Sequence, residues 1–148
     1  MGSSAVAVNG PHQQAGQDIW AGAAYDGETG SIAAARAFTA DFLAGVTGGR
    51  AQPIPAVVVA DAQLVVSELV TNACKFAPGP CALNLEIQGP DLVITVWDTD
   101  SSMPLARAAE PGRIGQHGLE IILALCEGFD VRREPVGKRI KVRVALGA

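Results

Sequence analysis

Glu68, Asn72 and Lys75 are the residues of this chain whose types and spacing are best suited to chemistry, and they lie in the segment 67–77. On a helix with about 100° per residue, these side chains and Asp61 fall within about 60° of one another. A carboxylate can accept a proton, an amide oxygen can bind Mg²⁺, and an ammonium can contact phosphate. The stripe is therefore suited to hold a metal-bound nucleotide, although the solvated face of an amphipathic helix shows the same residue types.

The helix that carries this stripe must also pack against a core. Its other side collects apolar residues at helical spacing, namely Val59, Ala62, Val66, Leu69, Val70 and Ala73. We expect the helix to begin after Pro55 and to end near Phe76, because Pro78 and Pro80 follow closely. An earlier strand is expected over residues 19–25, and an earlier helix over residues 31–44, capped by Ser31.

Two strands joined by a tight turn follow the long helix. Apolar residues alternate with others over residues 83–88 and 92–97, and the sequence Gly89-Pro90-Asp91 lies between them. Period-two counting puts Asp98 on the apolar face of the second strand, where a carboxylate needs a partner. The alternative is that Asp98 begins the next loop and faces solvent.

A long loop and a glycine-rich segment precede the last helix. Residues 99–113 have no periodicity, and a loop of this length is typical of a lid or binding loop. Gly112, Gly115 and Gly118 precede a helix expected over residues 119–126. Glycines before a helix allow a close approach to phosphate, although an ordinary loop before a helix has the same sequence.

The C-terminal part is expected to form two strands, over residues 129–133 and 140–146. Six of the eleven basic residues lie between Arg132 and Arg143. This run marks either a surface for an acidic protein partner or the wet face of a sheet.

Composition sets the outer limits. The 148 residues are 49% hydrophobic and 18% charged, which fits one globular domain, and the formal net charge of −4 disfavours nucleic-acid binding. The apolar runs are too short and interrupted for a membrane span, and the three cysteines lack zinc-site spacing. We expect a cytoplasmic protein. Residues 1–17 are small and polar and are expected to be a disordered tail, followed by one domain over residues 18–148.

The order of these features resembles the histidine-kinase-like ATPase (GHKL) superfamily. The features are the segment 67–77, a hairpin that ends in Asp98, a long loop, Gly115-x-x-Gly118 and a last strand after Gly137-Lys138. Over about residues 19–146 the chain resembles the small bacterial anti-sigma-factor serine kinases and their single-domain relatives in actinobacteria. The resemblance implies the Bergerat ATP-binding fold, an α/β two-layer sandwich (α+β) with helices on one face of a mixed, mainly antiparallel sheet.

The resemblance also implies roles for four side chains. Glu68 matches the general base that takes the proton of a target serine, and Asn72 matches the asparagine that binds Mg²⁺. Lys75 stands where relatives usually have Arg or His, and it can contact phosphate. Asp98 matches the aspartate that accepts a hydrogen bond from the adenine amino group of ATP.

Further positions match less closely. Gly115 and Gly118 match the glycine box that covers the phosphates, and Gly112 and Lys138 are further candidates for nucleotide binding. The chain departs from the family pattern at two places. At the first hinge of the lid, Asp98-Thr-Asp-Ser-Ser lacks the usual glycines. In the last strand, Arg139 follows Gly137-Lys138 where relatives often have Thr.

The resemblance implies a regulator that transfers the γ phosphate of ATP to a serine of an anti-anti-sigma (STAS-type) antagonist and binds a sigma factor or a similar partner. A non-enzymatic binding module and an ATPase or nucleotide sensor for another target are the alternatives. The presence of both Glu68 and Asn72 favours the kinase, whereas Arg139 and the missing glycines favour the alternatives. Relatives of this type often form dimers through the sheet, so the resemblance is also compatible with a homodimer.

Overall fold

The computed structural model describes residues 5–8, 12–13, 19–28, 30–48, 53–76, 79–99, 116–135 and 137–147, with the backbone alone at 5–8, 12–13, 74–76, 116–119 and 121. This part of the chain forms seven strands and three helices. In chain order they are β1 Ala5–Val8, β2 His12–Gln13, β3 Ile19–Tyr25, α1 Gly30–Thr47, α2 Ala56–Phe76, β4 Cys81–Gln88, β5 Asp91–Asp98, α3 Gln116–Leu125, β6 Gly128–Arg133 and β7 Lys138–Ala145.

The strands form one sheet in the order β1-β3-β4-β5-β7-β6, and β2 also pairs with β3. All described strand pairs are antiparallel. The β4–β5 turn contains Gly89, whose φ of 61° is readily adopted by glycine. The expected α/β two-layer sandwich with helices on one face of the sheet is confirmed.

One face of the sheet packs against the helices. In β4, every second residue is buried, because successive side chains point to opposite faces. α1 and α2 contact each other and both contact the sheet, while α3 packs against α2. The core on this face includes Leu43, Val65, Val66, Leu69, Val70, Leu83, Leu85, Ile94, Val96, Ile122, Ile140 and Val142.

The N-terminal segment differs from the sequence-based expectation of a disordered tail. β1 and β2 lie within residues 1–17, and both pair with β3. An edge strand offers unpaired backbone N–H and C=O groups, so a short segment can add to it without a large apolar surface. The remaining residues of 1–17 lie outside the described residues.

Two helices begin earlier than the sequence predicted. α1 begins at Gly30, so Ser31 lies inside its first turn, with Oγ 3.4 Å from Asp26 Oδ1. The same Asp26 oxygen accepts a hydrogen bond from the Glu28 backbone N–H at 2.9 Å. α3 begins at Gln116, so Gly118 lies within the helix.

α2 is apolar enough to resemble a membrane span by composition. Residues 56–73 have a mean hydropathy of 1.4 and the length needed to cross a bilayer, contrary to the expectation that all apolar runs are too short. However, α2 packs against α1, α3 and three strands of the sheet, and its apolar side belongs to the core. This packing explains its composition as that of the central helix of a globular domain.

Candidate functional site

α2 holds Glu68 and Asn72 on the border of its packed side. Leu69 and Ala73, the next residues along the helix, are buried, whereas Glu68 and Asn72 are half-buried. The two side chains are one helical turn apart, at i and i+4, so they can reach a common ligand. Among the described residues, neither side chain takes part in a hydrogen bond or ion pair. They are therefore not part of an internal polar network within the described structure.

The end of α2 lies at the same end of the sheet as Asp98. α2 ends at Phe76, and β4 begins soon after at Cys81. β4 and β5 pair antiparallel, with Ala82 opposite Trp97, so the start of β4 lies beside the end of β5. The last turns of α2, which carry Asn72, are thus placed near the end of the sheet where Asp98 is found.

Asp98 faces the helix side of the sheet, as period-two counting predicted, and it does not turn to solvent. The residue is 5% exposed. Its carboxylate pairs with Lys138 of the neighbouring strand, with Nζ 2.9 Å from Oδ2, and the two side chains are 4% and 1% exposed for Lys138 and Asp98 respectively. A buried charge requires such a partner, because desolvation of an isolated ion costs several kcal/mol.

The backbone around Gly137 fixes the position of Lys138. Gly137 has a φ of 84°, and a Cβ atom at this position would clash with the Asp98 carbonyl oxygen. Only glycine allows this approach of the β6–β7 turn to the end of β5. The Glu134 N–H closes the turn by donating to the Gly137 carbonyl oxygen at 3.0 Å.

Tyr25 and Cys81 extend this end of the sheet. They lie opposite each other on β3 and β4, and both are buried. The Tyr25 hydroxyl is buried without a hydrogen-bond partner among the described residues. Burial, together with charge at Cys81, raises the pKa of Tyr25 to about 12. The inward-facing side chains at this end of the sheet thus include Tyr25, in an apolar environment, and the ion pair of Asp98 with Lys138.

The other predicted phosphate contacts are only partly described. The backbone of Lys75 lies in the last turn of α2, and its side chain is outside the described part of the structure. Gly112 and Gly115 also lie outside the described residues. Gly118 lies in the first turn of α3.

A metal ion at this site would depend on the nucleotide for most of its ligands. The described residues contain no group of three or more His, Cys, Asp or Glu side chains that could hold a metal. Mg²⁺ commonly takes one or two protein oxygens and completes its shell with phosphate oxygens and water. The Asn72 amide oxygen, beside the Glu68 carboxylate, fits that mode of binding.

The basic run near the C-terminus is largely neutralised. Besides Lys138, three of its members form ion pairs: Arg132 with Asp130, Arg139 with Glu134 and Arg143 with Asp91, at 3.1, 3.8 and 3.5 Å. The Arg139 pair is too long for a hydrogen bond, and the Arg139 Nε atom is buried without a hydrogen-bond partner. The run is therefore a weaker attraction for an acidic partner than its sequence suggests.

Two cavities that described residues line are on the other side of the sheet or at its end. One of about 230 Å³ is lined by Gly22, Ala24, Ala82, Asn84 and Trp97 on the face away from the helices, with Ala23 and Leu83 between them. Another of about 270 Å³ reaches Asp98 and Thr99 from the same face. Neither includes a residue of α2, so neither is the space between α2 and the sheet.

Sequence reasoning missed the partnership of Asp98 and Lys138. It drew attention to Arg139 as the residue that departs from the family, but Arg139 lies opposite Trp97 on the outer face. Lys138 is the inward residue. The alternation of Ile140 and Val142, extended by one step, would have placed Lys138 on the apolar face together with Asp98.

Comparisons with known proteins agree with the fold described above. The sequence of residues 27–144 matches the family described as the histidine kinase-like ATPase domain. No curated protein matches the chain significantly. Among solved structures, the fold is similar to the histidine kinase domain of the blue-light activated histidine kinase from Erythrobacter litoralis, with a TM-score of 0.51, 20% identity, and coverage of 75% of this chain and 60% of that one.

A second structure of the same Erythrobacter litoralis kinase is also similar. The TM-score is 0.50 at 18% identity, with coverage of 76% of this chain and 42% of that one. This chain thus spans less than two thirds of either kinase chain. At such identities the likeness shows the fold.

Proposed function

Because the chain belongs to the histidine kinase-like ATPase domain family, we propose that it binds ATP with Mg²⁺ and phosphorylates a serine of an antagonist protein. Domains of this family bind ATP, generally with Mg²⁺. The observation that carries the kinase proposal is the pair of Glu68 and Asn72 on α2. Both side chains are half-buried. Phosphoryl transfer uses a general base one helical turn from a metal ligand, whereas a surface that only binds a partner requires neither group.

The proposed reaction is a displacement at the γ phosphorus. The serine oxygen forms a bond to this phosphorus while the bond to the β–γ bridging oxygen breaks and ADP leaves. Glu68 takes the proton of the serine hydroxyl. Asn72 would hold Mg²⁺, which neutralises charge on the phosphates, and catalysis would otherwise depend mainly on positioning.

The remaining assignments complete the proposed nucleotide site. Lys75 would contact phosphate as a point charge. Gly112, Gly115 and Gly118 would bring backbone amides close to the phosphates. Asp98 would accept a hydrogen bond from the nucleobase, which is supported by its inward position at the end of β5.

The proposed partners are an anti-anti-sigma protein of the STAS type, as the phosphate acceptor, and a sigma factor or a similar protein, as the target of sequestration. The proposal places these events in the cytoplasm. A net charge of −4 supports protein partners over direct binding to nucleic acid.

One observation favours a second candidate, a non-catalytic nucleotide-binding or partner-binding module. The Lys138 ammonium is paired with the Asp98 carboxylate, which is the group proposed to bind the base. If this ion pair lowered nucleotide affinity enough, the fold would serve partner binding without transfer.

A phosphoryl-transfer assay separates the two candidates. The purified chain is incubated with Mg²⁺, ATP and a STAS-domain substrate, and phosphoserine is detected by mass spectrometry. The kinase proposal predicts phosphoserine with the wild type and none with Glu68→Gln, whereas Glu86→Gln, on the outer face of the sheet, serves as a control with normal activity. Several STAS domains are tested in parallel, because the proposal specifies the phosphate acceptor by its domain type. Nucleotide binding without phosphoserine on any of them would favour the module.

A further inference from the structure

Two members of the basic run near the C-terminus, Arg133 and Lys141, form no ion pair or hydrogen bond with another described residue. Both side chains are exposed. Lys141 lies opposite Thr95, on the outer face of the sheet. Arg133 lies opposite Lys138, on the helix-facing side. Arg133 is therefore a cation on the helix-facing side of the sheet whose charge is not neutralised by a described side chain.

The face and the height of Arg133 on the sheet follow from β6. Phe129 and Val131 precede it at a spacing of two, and both pack against the core beneath the helices. Because successive side chains of a strand alternate between the two faces, Arg133 shares their face. It is the last residue of β6, at the end of the sheet that holds Asp98. Only β7 separates β6 from β5, so the two Cα atoms are about 10 Å apart at ordinary strand spacing.

The connection between α3 and β6 places the start of α3 toward the same end. Only two residues separate α3 from β6. In this link the Glu127 N–H donates to the Arg143 carbonyl oxygen at 2.7 Å, which ties the link to the opposite end of the sheet. α3 packs against α2, in the helical layer. Because a helix and a strand joined by so short a link run in opposite directions, the first turn of α3, with Gly118, lies toward the end where Arg133 is found.

The other described charges of the proposed site do not attract an anion. Lys138 is neutralised by Asp98, and Glu68 adds a negative charge on α2. The side chain of Lys75 lies outside the described structure. Mg-ATP remains an anion, and a nearby carboxylate opposes its binding. A guanidinium binds phosphate through charge-assisted, often bidentate hydrogen bonds, so Arg133 has the charge and the donors that the described site otherwise lacks.

We propose that Arg133 binds the phosphate chain of the nucleotide and makes the site favour nucleotides with more phosphates. Asp98 would take the base near the middle of the sheet, and Arg133, two strands away at its edge, would contact the phosphates furthest from the base. Its exposure suits this role, because the guanidinium can contact a phosphate without breaking an ion pair of the fold. This inference rests on the proposed binding of ATP and adds a residue to that site.

The test is a calorimetric titration of the full chain with ATP, ADP and AMP in the presence of Mg²⁺. We expect Arg133→Gln to weaken ATP binding by about tenfold, as the loss of a charge-assisted hydrogen bond does. AMP affinity should change by less than about threefold, because AMP lacks the outer phosphates that would contact Arg133. The loss for ADP should lie between these two. A residue that only supports the fold would change the affinities for all three nucleotides equally.

Lys141→Gln is the matched control. It removes the same charge from a side chain that is also exposed and unpaired among the described residues, but that lies on the other face of the sheet. Any effect of net charge alone is therefore the same in both variants. Lys141→Gln should leave all three dissociation constants within about twofold of the wild type, because solvent and salt screen distant exposed charges. If Arg133→Gln does not fold, as circular dichroism would show, Arg133→Ala is measured in its place.

The outcomes separate the inference from the proposed function. Unchanged ATP affinity in folded Arg133→Gln, with a wild type that binds ATP, would overturn the inference and leave the proposed function intact. Equal losses for ATP and AMP, or an equal loss of ATP affinity in Lys141→Gln, would also overturn it. If AMP binds the wild type too weakly to measure, the comparison of ATP with ADP decides. Failure of the wild type to bind any of the three nucleotides would overturn the proposed function, and the inference with it.

Discussion

Lys138 Nζ lies 2.9 Å from Asp98 Oδ2, although the two residues are 40 positions apart in sequence. They meet because β7 pairs antiparallel with β5 in a register that places them directly opposite each other. Their charges are almost fully buried at the end of the sheet that faces α2. The stability of the domain therefore depends on this pair, and the proposed hydrogen bond to a nucleobase depends on its Asp98 carboxylate.

Removal of one member of this pair should destabilise the domain strongly. We expect Lys138→Met and Asp98→Asn each to lower the free energy of unfolding by about 3–5 kcal/mol, because the single variants break a buried pair. Urea unfolding, with the double variant to complete a mutant cycle, measures this effect. Arg132→Ala is the control: its pair with Asp130 has side chains 65% and 51% exposed, so it should cost less than about 1 kcal/mol. Equal losses for the buried and exposed pairs would show that the buried pair is not formed.

Gly137 should not tolerate a side chain. In Gly137→Ala, the new Cβ would clash with the Asp98 carbonyl oxygen, and the φ of 84° is unfavourable for alanine. We expect a loss of about 2 kcal/mol or more in stability, measured by thermal or urea unfolding. Gly128→Ala should change stability by less than about 1 kcal/mol, because the nearest contact of its Cβ is at 3.9 Å and its φ is not positive. A Gly137→Ala variant as stable as Gly128→Ala would contradict the described turn.

Deprotonation of Tyr25 should lower the free energy of unfolding in alkaline solution. Burial raises its pKa from 10.0 to about 12, so the folded state holds the hydroxyl proton more tightly than the unfolded state does. This contribution to stability is complete below pH 10 and is lost as the pH rises to about 12. Tyr25→Phe should make the decline in unfolding free energy across this window shallower. At neutral pH it should be neutral or stabilising by about 1 kcal/mol, since the hydroxyl has no partner among the described residues.

The control for this pH effect is Cys126, whose pKa burial raises from 9.0 to about 11. Its contribution is lost over a lower window, between about pH 9 and 11. Cys126→Ala should therefore flatten the decline mainly between pH 9 and 10, and above about pH 11 the decline caused by Tyr25 should be unchanged. The same slope between pH 10 and 12 in wild type and Tyr25→Phe would mean that the hydroxyl is hydrated in the folded state.

Glu68 and Asn72 should fail in different ways if their proposed roles are correct. Glu68→Ala should leave nucleotide affinity within about threefold of the wild type and abolish phosphoryl transfer, because a general base acts in the transfer step. Asn72→Ala should weaken binding of Mg-ATP by about tenfold or more and have less effect on metal-free ATP, since Asn72 is the proposed metal ligand. Calorimetry with and without Mg²⁺ distinguishes the two, and equal losses of binding would show that the roles are wrongly assigned.

The sequence was sufficient for most of the fold. The bounds of β3 and α2, the β4–β5 hairpin and the inward position of Asp98 follow from periodicity and turn residues, because a buried face imposes its period on the sequence. The helix starts were less accurate: Ser31 and Gly118 both lie inside helices that begin before them. Caps and glycines near a helix start suit several adjacent positions, so they fix a boundary only within a few residues.

The candidate site was harder to derive because it depends on pairing between distant strands. Nothing local links Asp98 to Lys138 or explains why Gly137 must lack a side chain; both follow from the register of β5 against β7. The charges of the basic run were visible in the sequence, whereas the acidic partners of Arg139 and Arg143 emerge only when the strands are assembled. Long-range register was therefore the information that periodicity could not supply.

Binding of ATP underlies both candidate functions that use the nucleotide, and it is measured by calorimetric titration of the purified chain with ATP, with and without Mg²⁺. We expect saturable binding that Mg²⁺ strengthens in the wild type and that Mg²⁺ no longer strengthens in Asn72→Ala. Absence of binding up to millimolar ATP, in a chain shown to be folded, would contradict it.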